Sequence, residues 1–309
     1  MTPSPEGRPG HVWLDGEILP AGARHLSVFD RGFQLGDGVF ETLRARGGHP
    51  TELDAHLARL HRSADGLDIA LPPDVDGLLA GGISALLAAE GLDGPSGDAS
   101  IRITVSRGAF RARGVLPPSD GATATIAIQA WPVVAAPRDH LERGLHLVAS
   151  SVRRDPRNPL ATLKTTSRAE YVFARLEARR AGADDALFLT IDDHLSEGTS
   201  ANIFLVRSST AGTQELATPS LDCAILPGTT RSWLLEWAAR VGLRPVEARL
   251  RRGDLAAADE AFLSSSVAGI LPVTRFDGAP IGDGRPGPWT QRARADREAM
   301  IREGEETPA

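Results

Sequence analysis

The chain has 309 residues, 41% of them apolar and 24% charged, with a formal charge of −6. That length suffices for two domains with real cores, and the acidic balance argues against nucleic acid or an anionic membrane as partner. No apolar run reaches membrane-span length, the first residues lack a signal-peptide pattern, and Cys223, the only cysteine, excludes an intrachain disulfide and suits a reducing cytoplasm.

In chain order, Met1–Gly10 is rich in Pro and Gly and reads as a tail. His11–Pro20 reads as a hairpin around Asp15-Gly16, a dipeptide suited to positive φ. Val39–Ala45 and Thr51–Leu53 flank Gly47-Gly48 as a second hairpin. A helix capped by Asp54 follows, with Leu57, Leu60, Ala64 and Leu67 as its apolar stripe. A second helix covers Asp76–Glu90 and stops at Gly91. Ile101, Ile103 and Val105 alternate as in a half-buried strand, and Ala122–Ala130 forms another. Trp131–Arg138, with two prolines, reads as a linker. Strands are expected at Leu145–Val152, Ala186–Thr190, Ala201–Val206 and Leu243–Leu250, and helices at Ser167–Ala181, Thr229–Val241 and Pro288–Arg302. Hairpins grouped with helices, without regular βαβ alternation, make the fold class α+β.

Lys164 is the only lysine in the chain, and a lone lysine by itself reads as a solvated surface charge. A lysine amine that can form a Schiff base, together with a carboxylate that keeps a ring nitrogen protonated, is what pyridoxal 5'-phosphate (PLP) requires of a protein. Glu197, in Ser196-Glu197-Gly198-Thr199-Ser200-Ala201-Asn202, is the candidate carboxylate; without the flanking Gly-Thr-Ser-Ala-Asn it would read as a turn residue after Asp192-Asp193. Gly228 followed by Thr229 and Thr230 opens a strong helix, which offers backbone N–H groups, two hydroxyls and a positive dipole end to a phosphate. Helix capping alone also accounts for a threonine there. Arg107, Arg111 and Arg113 crowd seven residues after a predicted strand; guanidinium groups suit a carboxylate, and a solvated basic loop is the other reading. No histidine pair has the spacing of a metal site.

Five blocks in order resemble the fold-type IV PLP enzymes: D-amino-acid transaminases, branched-chain aminotransferases and aminodeoxychorismate lyases. They are Asp30–Thr42, Leu163–Tyr171, Ser196–Phe204, Leu226–Arg231, and the C-terminal pair Phe262–Val267 with Ile281–Pro288. The resemblance spans Val12 to Ala299 and implies a D-amino-acid transaminase-like fold of two α+β domains. The smaller N-terminal one covers residues 12–130, a linker 131–136, and the larger PLP-binding one 137–302, with the cofactor in the interdomain cleft. It also implies a homodimer whose partner loops help close each site.

The same resemblance makes Lys164 the catalytic lysine, and Glu197, Arg59, Thr229, Thr230 and Ser266 cofactor contacts. Arg59 enters on the resemblance only, since it lies off the apolar stripe of its helix, where geometry alone makes it a surface residue. Phe33, Arg107, Arg111, Arg113 and Val267 are the expected substrate contacts, with Arg113 at the position of a carboxylate arginine. Val115 stands where that subfamily has a histidine and Phe33 where it has a tyrosine, which extends the expected substrates to (R)-amines. The expected reaction is transfer of an amino group from a D-amino acid to pyruvate or 2-oxoglutarate. The alternative is a lyase releasing pyruvate and 4-aminobenzoate from aminodeoxychorismate, which Ser106-Arg107-Gly108 and Arg168 resemble. A branched-chain L-aminotransferase ranks below both, because tyrosines typical of it are missing.

Overall fold

The computed structural model describes residues 8–117, 123–208 and 212–303. The chain divides into two compact units. Unit 1 comprises residues 1–134, 163–168 and 301–309, and unit 2 comprises 135–162 and 169–300. The division after Val134 falls in the proline-rich stretch read as a linker. Leu163–Arg168, expected with the C-terminal residues, instead belongs to unit 1.

Unit 1 is built on β1 (His11–Leu14), β2 (Glu17–Pro20), α1 (Arg31–Leu35), β3 (Gly38–Arg46), β4 (His49–Pro50), α2 (Leu53–Asp65), α3 (Val75–Glu90), β5 (Asp98–Ser106) and β6 (Thr125–Pro132). The strands form an antiparallel sheet in the order β2-β1-β6-β5-β3-β4. Asp15 and Gly16 both take positive φ in the first hairpin, and Gly47 with Gly48 do so in the second. The second hairpin's return strand is only His49–Pro50, because Leu53 already begins α2. Asp54 is a first-turn acid and not the N-cap: Glu52, at φ 54° in the left-handed region, holds that position. Strand β6 begins at Thr125; Ala122, the expected start, lies outside the described residues.

Alternation along β5 buries Ile101, Ile103 and Val105 against Leu43, Leu60, Leu79 and Ile83 in a single core. Each such side chain contributes about 1.5–3 kcal/mol when removed from water. Leu57, Leu60 and Ala64 of the predicted stripe are buried there, and Leu67, past the end of α2, packs against the same core.

Unit 2 contains α4 (Arg138–Arg143), β7 (Leu145–Arg154), α5 (Ala169–Arg180), β8 (Asp185–Thr190), β9 (Leu195–Gly198), β10 (Asn202–Ser208), β11 (Gln214–Pro219), α6 (Thr229–Val241), β12 (Arg244–Ala248), α7 (Arg252–Ala256), β13 (Glu260–Ser265), β14 (Gly269–Phe276), β15 (Ala279–Pro280) and most of α8 (Pro288–Glu303). The sheet runs β12-β11-β10-β13-β14-β7-β8-β9, and β9 pairs again with β10 through Glu197 opposite Asn202. That last pairing closes β10, β13, β14, β7, β8 and β9 into a barrel, so these strands have no open edge. Leu147, Leu187, Leu205 and Leu263 fill one core cluster, while Phe204 and Phe262 turn to the opposite face and stack at 5.4 Å beside Leu234 and Trp237 of α6. Burial on both faces is why β10 reads as an unbroken apolar run, Ile203 to Val206.

Candidate active site

Lys164 lies in unit 1, fixed by its backbone. Its carbonyl accepts from the Phe40 N–H (2.9 Å), and its own N–H donates to Ser63 Oγ on α2 (3.1 Å). Two residues on, the Thr166 N–H donates to the Gly38 carbonyl (2.8 Å), so 164–166 meet β3 in a single antiparallel bridge, Thr165 opposite Val39. Gly38 must be glycine for this: a Cβ there would lie 2.7 Å from the Val105 carbonyl oxygen and 3.1 Å from Thr166 Oγ1. Lys164 Nζ sits 4.6 Å from the centre of the Phe40 ring, with the Arg102 guanidinium at 3.9 Å and that of Arg168 at 5.6 Å. Three cations thus share one aromatic ring. Burial and the charge of Arg168 together lower the pKa of Arg102.

The next residue on β3, Glu41, is fully buried and accepts from Arg59 Nε (2.7 Å), Arg59 Nη2 (2.8 Å) and His56 Nδ1 (2.8 Å). His56, Arg59 and Ser63 recur at i, i+3 and i+7 on α2, one polar stripe turned inward beside the apolar one. The surface position suggested for Arg59 by its helical phase is therefore wrong: α2 is buried on two faces, and Arg59 is 3% exposed. Burial alone would raise the Glu41 pKa, but hydrogen bonds from Arg59 and His56, with the charges of Arg59 and Lys164, bring it down from 4.5 to about 2.

A carboxyl with a depressed folded-state pKa stabilises the fold above its unfolded value and loses that contribution as pH falls. For Glu41 the window runs from about 4.5 down to about 2, and the shift corresponds to roughly 3 kcal/mol. Acid titration of stability should show this slope in the wild type. Glu41→Gln should be less stable at neutral pH and flatter across the window; an unchanged slope would contradict the assignment.

The arginine-rich segment also belongs to unit 1. Arg107 makes four hydrogen bonds, to Asp37 Oδ2 (2.8 Å) and Oδ1 (3.0 Å) and to the carbonyls of Leu67 (2.6 Å) and Asp68 (2.7 Å). It is placed as a brace, not as an open cation. Arg111, Arg113 and Phe33 are exposed, Phe33 to 73%.

Unit 2 holds the remaining candidates. Glu197 lies on β9, not in a turn, and is 5% exposed. Its carboxylate accepts from the Leu226 N–H (2.9 Å), Arg154 Nη2 (3.3 Å) and Asn202 Nδ2 (3.4 Å). Burial acts to lower the Arg154 pKa, but Glu197, Tyr171 and Glu170 raise it overall. Asn202 Nδ2 also donates to the Leu226 carbonyl (3.0 Å). Glu197 and Asn202 therefore grip the turn that leads into α6 from both sides of one residue.

Gly228 is the N-cap of α6 and supplies no capping side chain. A Cβ at Gly228 would fall 2.2 Å from Asn202 Oδ1, so a capping residue cannot replace it without displacing Asn202. This leaves the first turn of a 13-residue helix to an anion. Thr229 Oγ1 lies 3.1 Å from Ser266 Oγ, and Thr230 Oγ1 accepts from the buried Arg297 (3.5 Å). Val267 follows in the same turn, partly exposed. A phosphate at the α6 N-terminus and a protonated ring nitrogen at Glu197 suit these donors and this acceptor, so the residues present fit PLP.

Sequence reasoning assigned no role to Arg154, Glu41, His56, Arg102 or Asn202. Asn202 and Glu41 stood inside recognised blocks, so a signal existed; Arg154 is set apart from the half-exposed Arg153 only by strand alternation. Among the described residues no cluster of three or more His, Cys, Asp or Glu could hold a metal, and no helix is long and apolar enough to cross a membrane.

The family model described as amino-transferase class IV matches residues 38–276. The putative branched-chain-amino-acid aminotransferase of Methanocaldococcus jannaschii is 32% identical over 284 residues, 91% of this chain and 93% of that one. The D-alanine aminotransferase of Bacillus licheniformis is 28% identical, covering 94% of this chain and 96% of its own length. Among solved structures, the branched-chain amino acid aminotransferase of Escherichia coli aligns with TM-score 0.86 and 28% identity, over 95% of this chain and 95% of that one. The 4-amino-4-deoxychorismate lyase of Pseudomonas aeruginosa aligns with TM-score 0.79 and 32% identity, over 93% and 98%. The α+β fold is that of fold-type IV enzymes. The chain belongs to amino-transferase class IV and is a PLP-dependent aminotransferase.

Proposed function

We propose that the protein transfers an amino group from a D-amino acid, with (R)-amines as further donors, to a 2-oxo acid. The observation that carries the reading is Lys164: the chain's sole lysine, held through both backbone groups, with its amine among two arginines over Phe40. PLP, when bound, withdraws electrons from the substrate's Cα through its protonated ring. Lys164 anchors the cofactor and carries the proton to and from that Cα. Glu197 keeps the ring nitrogen protonated. Thr229, Thr230, Ser266 and the α6 N-terminus hold the phosphate, with Arg59 kept in position by Glu41. Arg111 and Arg113 receive the substrate carboxylate, and Phe33 and Val267 line its approach. Arg102 and Arg168 beside Lys164 favour 2-oxoglutarate, whose second carboxylate needs a cation, as the acceptor.

Support for the D-amino-acid reading is the position of Arg113 and the likeness to the B. licheniformis enzyme. The likeness to the M. jannaschii protein favours a second reading, a branched-chain L-amino acid as donor. We further infer a homodimer: Phe29, Phe33, Leu35, Val115 and Leu116 of unit 1 leave an apolar surface exposed. A reducing, cytoplasmic setting suits the single buried Cys223.

The test is the visible spectrum of the PLP-loaded protein with D-alanine, L-leucine or aminodeoxychorismate, each without acceptor. Bleaching of the yellow band by D-alanine alone supports the first reading, and by L-leucine alone the second. Pyruvate release from aminodeoxychorismate with neither amino acid reacting would overturn both in favour of a lyase.

A further inference from the structure

Asp37 is the hub of a network in unit 1 that joins Arg107, one of the expected substrate contacts, to Arg31, which has no expected role. Its carboxylate, 13% exposed, accepts from Arg31 Nε (2.7 Å) and twice from Arg107. Arg31 is itself buried, and its two remaining nitrogens reach across the surface segment that follows β5: Nη1 donates to the Gly114 carbonyl (3.1 Å) and Nη2 to the Val115 carbonyl (2.6 Å). The backbone before that segment is tied to the same helix end. The Arg31 N–H donates to the Gly108 carbonyl (2.9 Å), and the Phe110 N–H donates to the Phe29 carbonyl (2.9 Å).

Asp30 completes the frame. It caps α1 through the N–H groups of Gly32 (2.8 Å) and Phe33 (3.3 Å) and accepts from Ser106 Oγ (2.7 Å). Arg107, for its part, secures the other side of Asp37 to the Leu67 and Asp68 carbonyls beyond α2. The segment Arg111–Arg113 is thus clamped at both ends, by Gly108 and Phe110 before it and by Gly114 and Val115 after it. Between the clamps, Arg111 and Arg113 project with exposed side chains.

A buried guanidinium that makes two hydrogen bonds to main-chain carbonyls of an exposed loop is an expensive arrangement unless the loop's position matters, because exposed loops otherwise need no such anchor. We propose that Arg31 and Asp37 are positioning residues for substrate binding: they touch no substrate, and they set the place of the loop that presents Arg111 and Arg113 to the substrate carboxylate. This rests on the transaminase reading above, in which those arginines receive that carboxylate. The paired charges Arg31–Asp37–Arg107 make the brace stiff, since Arg supplies planar, multiply bonded donors that lysine cannot copy.

The test compares wild type with Arg31→Gln and Asp37→Asn, each as PLP-loaded full chain, using whichever of D-alanine and L-leucine the wild type accepts, with 2-oxoglutarate as second substrate. Both variants should raise KM for the amino acid about tenfold while kcat stays within about twofold, the pattern of lost binding without lost chemistry. Trypsin should cut after Arg111 and Arg113 about tenfold faster in both variants, with other sites unchanged. An active wild type whose variants keep KM, or lose kcat and KM together with general tryptic sensitivity, would overturn the positioning role alone. A wild type inert to both amino acids would overturn the transaminase reading and the positioning role with it.

Discussion

Lys164→Ala is expected to lower kcat on the order of ten-thousand-fold while leaving the fold in place. The loss combines the covalent anchor with the general acid–base group, and the second alone contributes about 10²–10⁴-fold. Residue 164 is held through its backbone, the carbonyl to Phe40 N–H and the N–H to Ser63 Oγ. Alanine keeps both. No other side chain can step in, since the sequence has no second lysine and a guanidinium does not replace a Schiff-base amine. Borohydride reduction of the PLP-loaded wild type should fix the cofactor on the peptide containing Lys164, and on nothing in the variant. Turnover above about a tenth of wild type, or cofactor fixed elsewhere, would refute the role given to this residue.

Glu197→Gln should lower turnover by about 10²–10³-fold, the cost seen when a preorganised electrostatic partner of the reacting group is removed. PLP affinity should change less than tenfold, because the α6 N-terminus, Thr229 and Ser266 are untouched. The variant should fold: Arg154, which loses a charged partner, keeps Glu170 at 2.6 Å and the Ala224 carbonyl at 3.3 Å. Single-turnover rates and cofactor titration separate the two effects. Equal losses in rate and affinity would mean that Glu197 serves only to hold the Leu226 turn.

Much of this was legible in the chain, for identifiable reasons. α6 has the bounds its sequence predicts because Gly228 and Gly242 punctuate it and Leu234 and Trp237 mark its inner face. The hairpin at Asp15-Gly16 was visible because so few residues tolerate its φ values. β9 escaped notice: at four residues, all buried, Leu195–Gly198 shows no alternation, and its pairing with β10 closes a barrel through a single opposed pair. Helical phase alone puts Arg59 at the surface because apolar periodicity cannot see a second, polar buried face. Its partner Glu41 lies 18 residues away, on another element. Arg107 read as part of a cationic cluster, yet its partners Asp37, Leu67 and Asp68 come from distant turns that no local pattern connects. Most instructive is the stretch 163–168, whose membership in unit 1 cannot follow from any linear boundary.

That return segment bears on how the polypeptide matures. β4 pairs with β3 only at Ala45 and Arg46, while the free side of β3 near Gly38 and Phe40 is covered by Lys164 and Thr166. A nascent or truncated polypeptide ending near Val134 would carry all six strands of the first sheet with that flank bare, a template for stray strands of other molecules. The segment that carries Lys164 is therefore also a guard against aggregation. A newly made molecule loses its sticky edge in the same event that brings Lys164 beside Phe40.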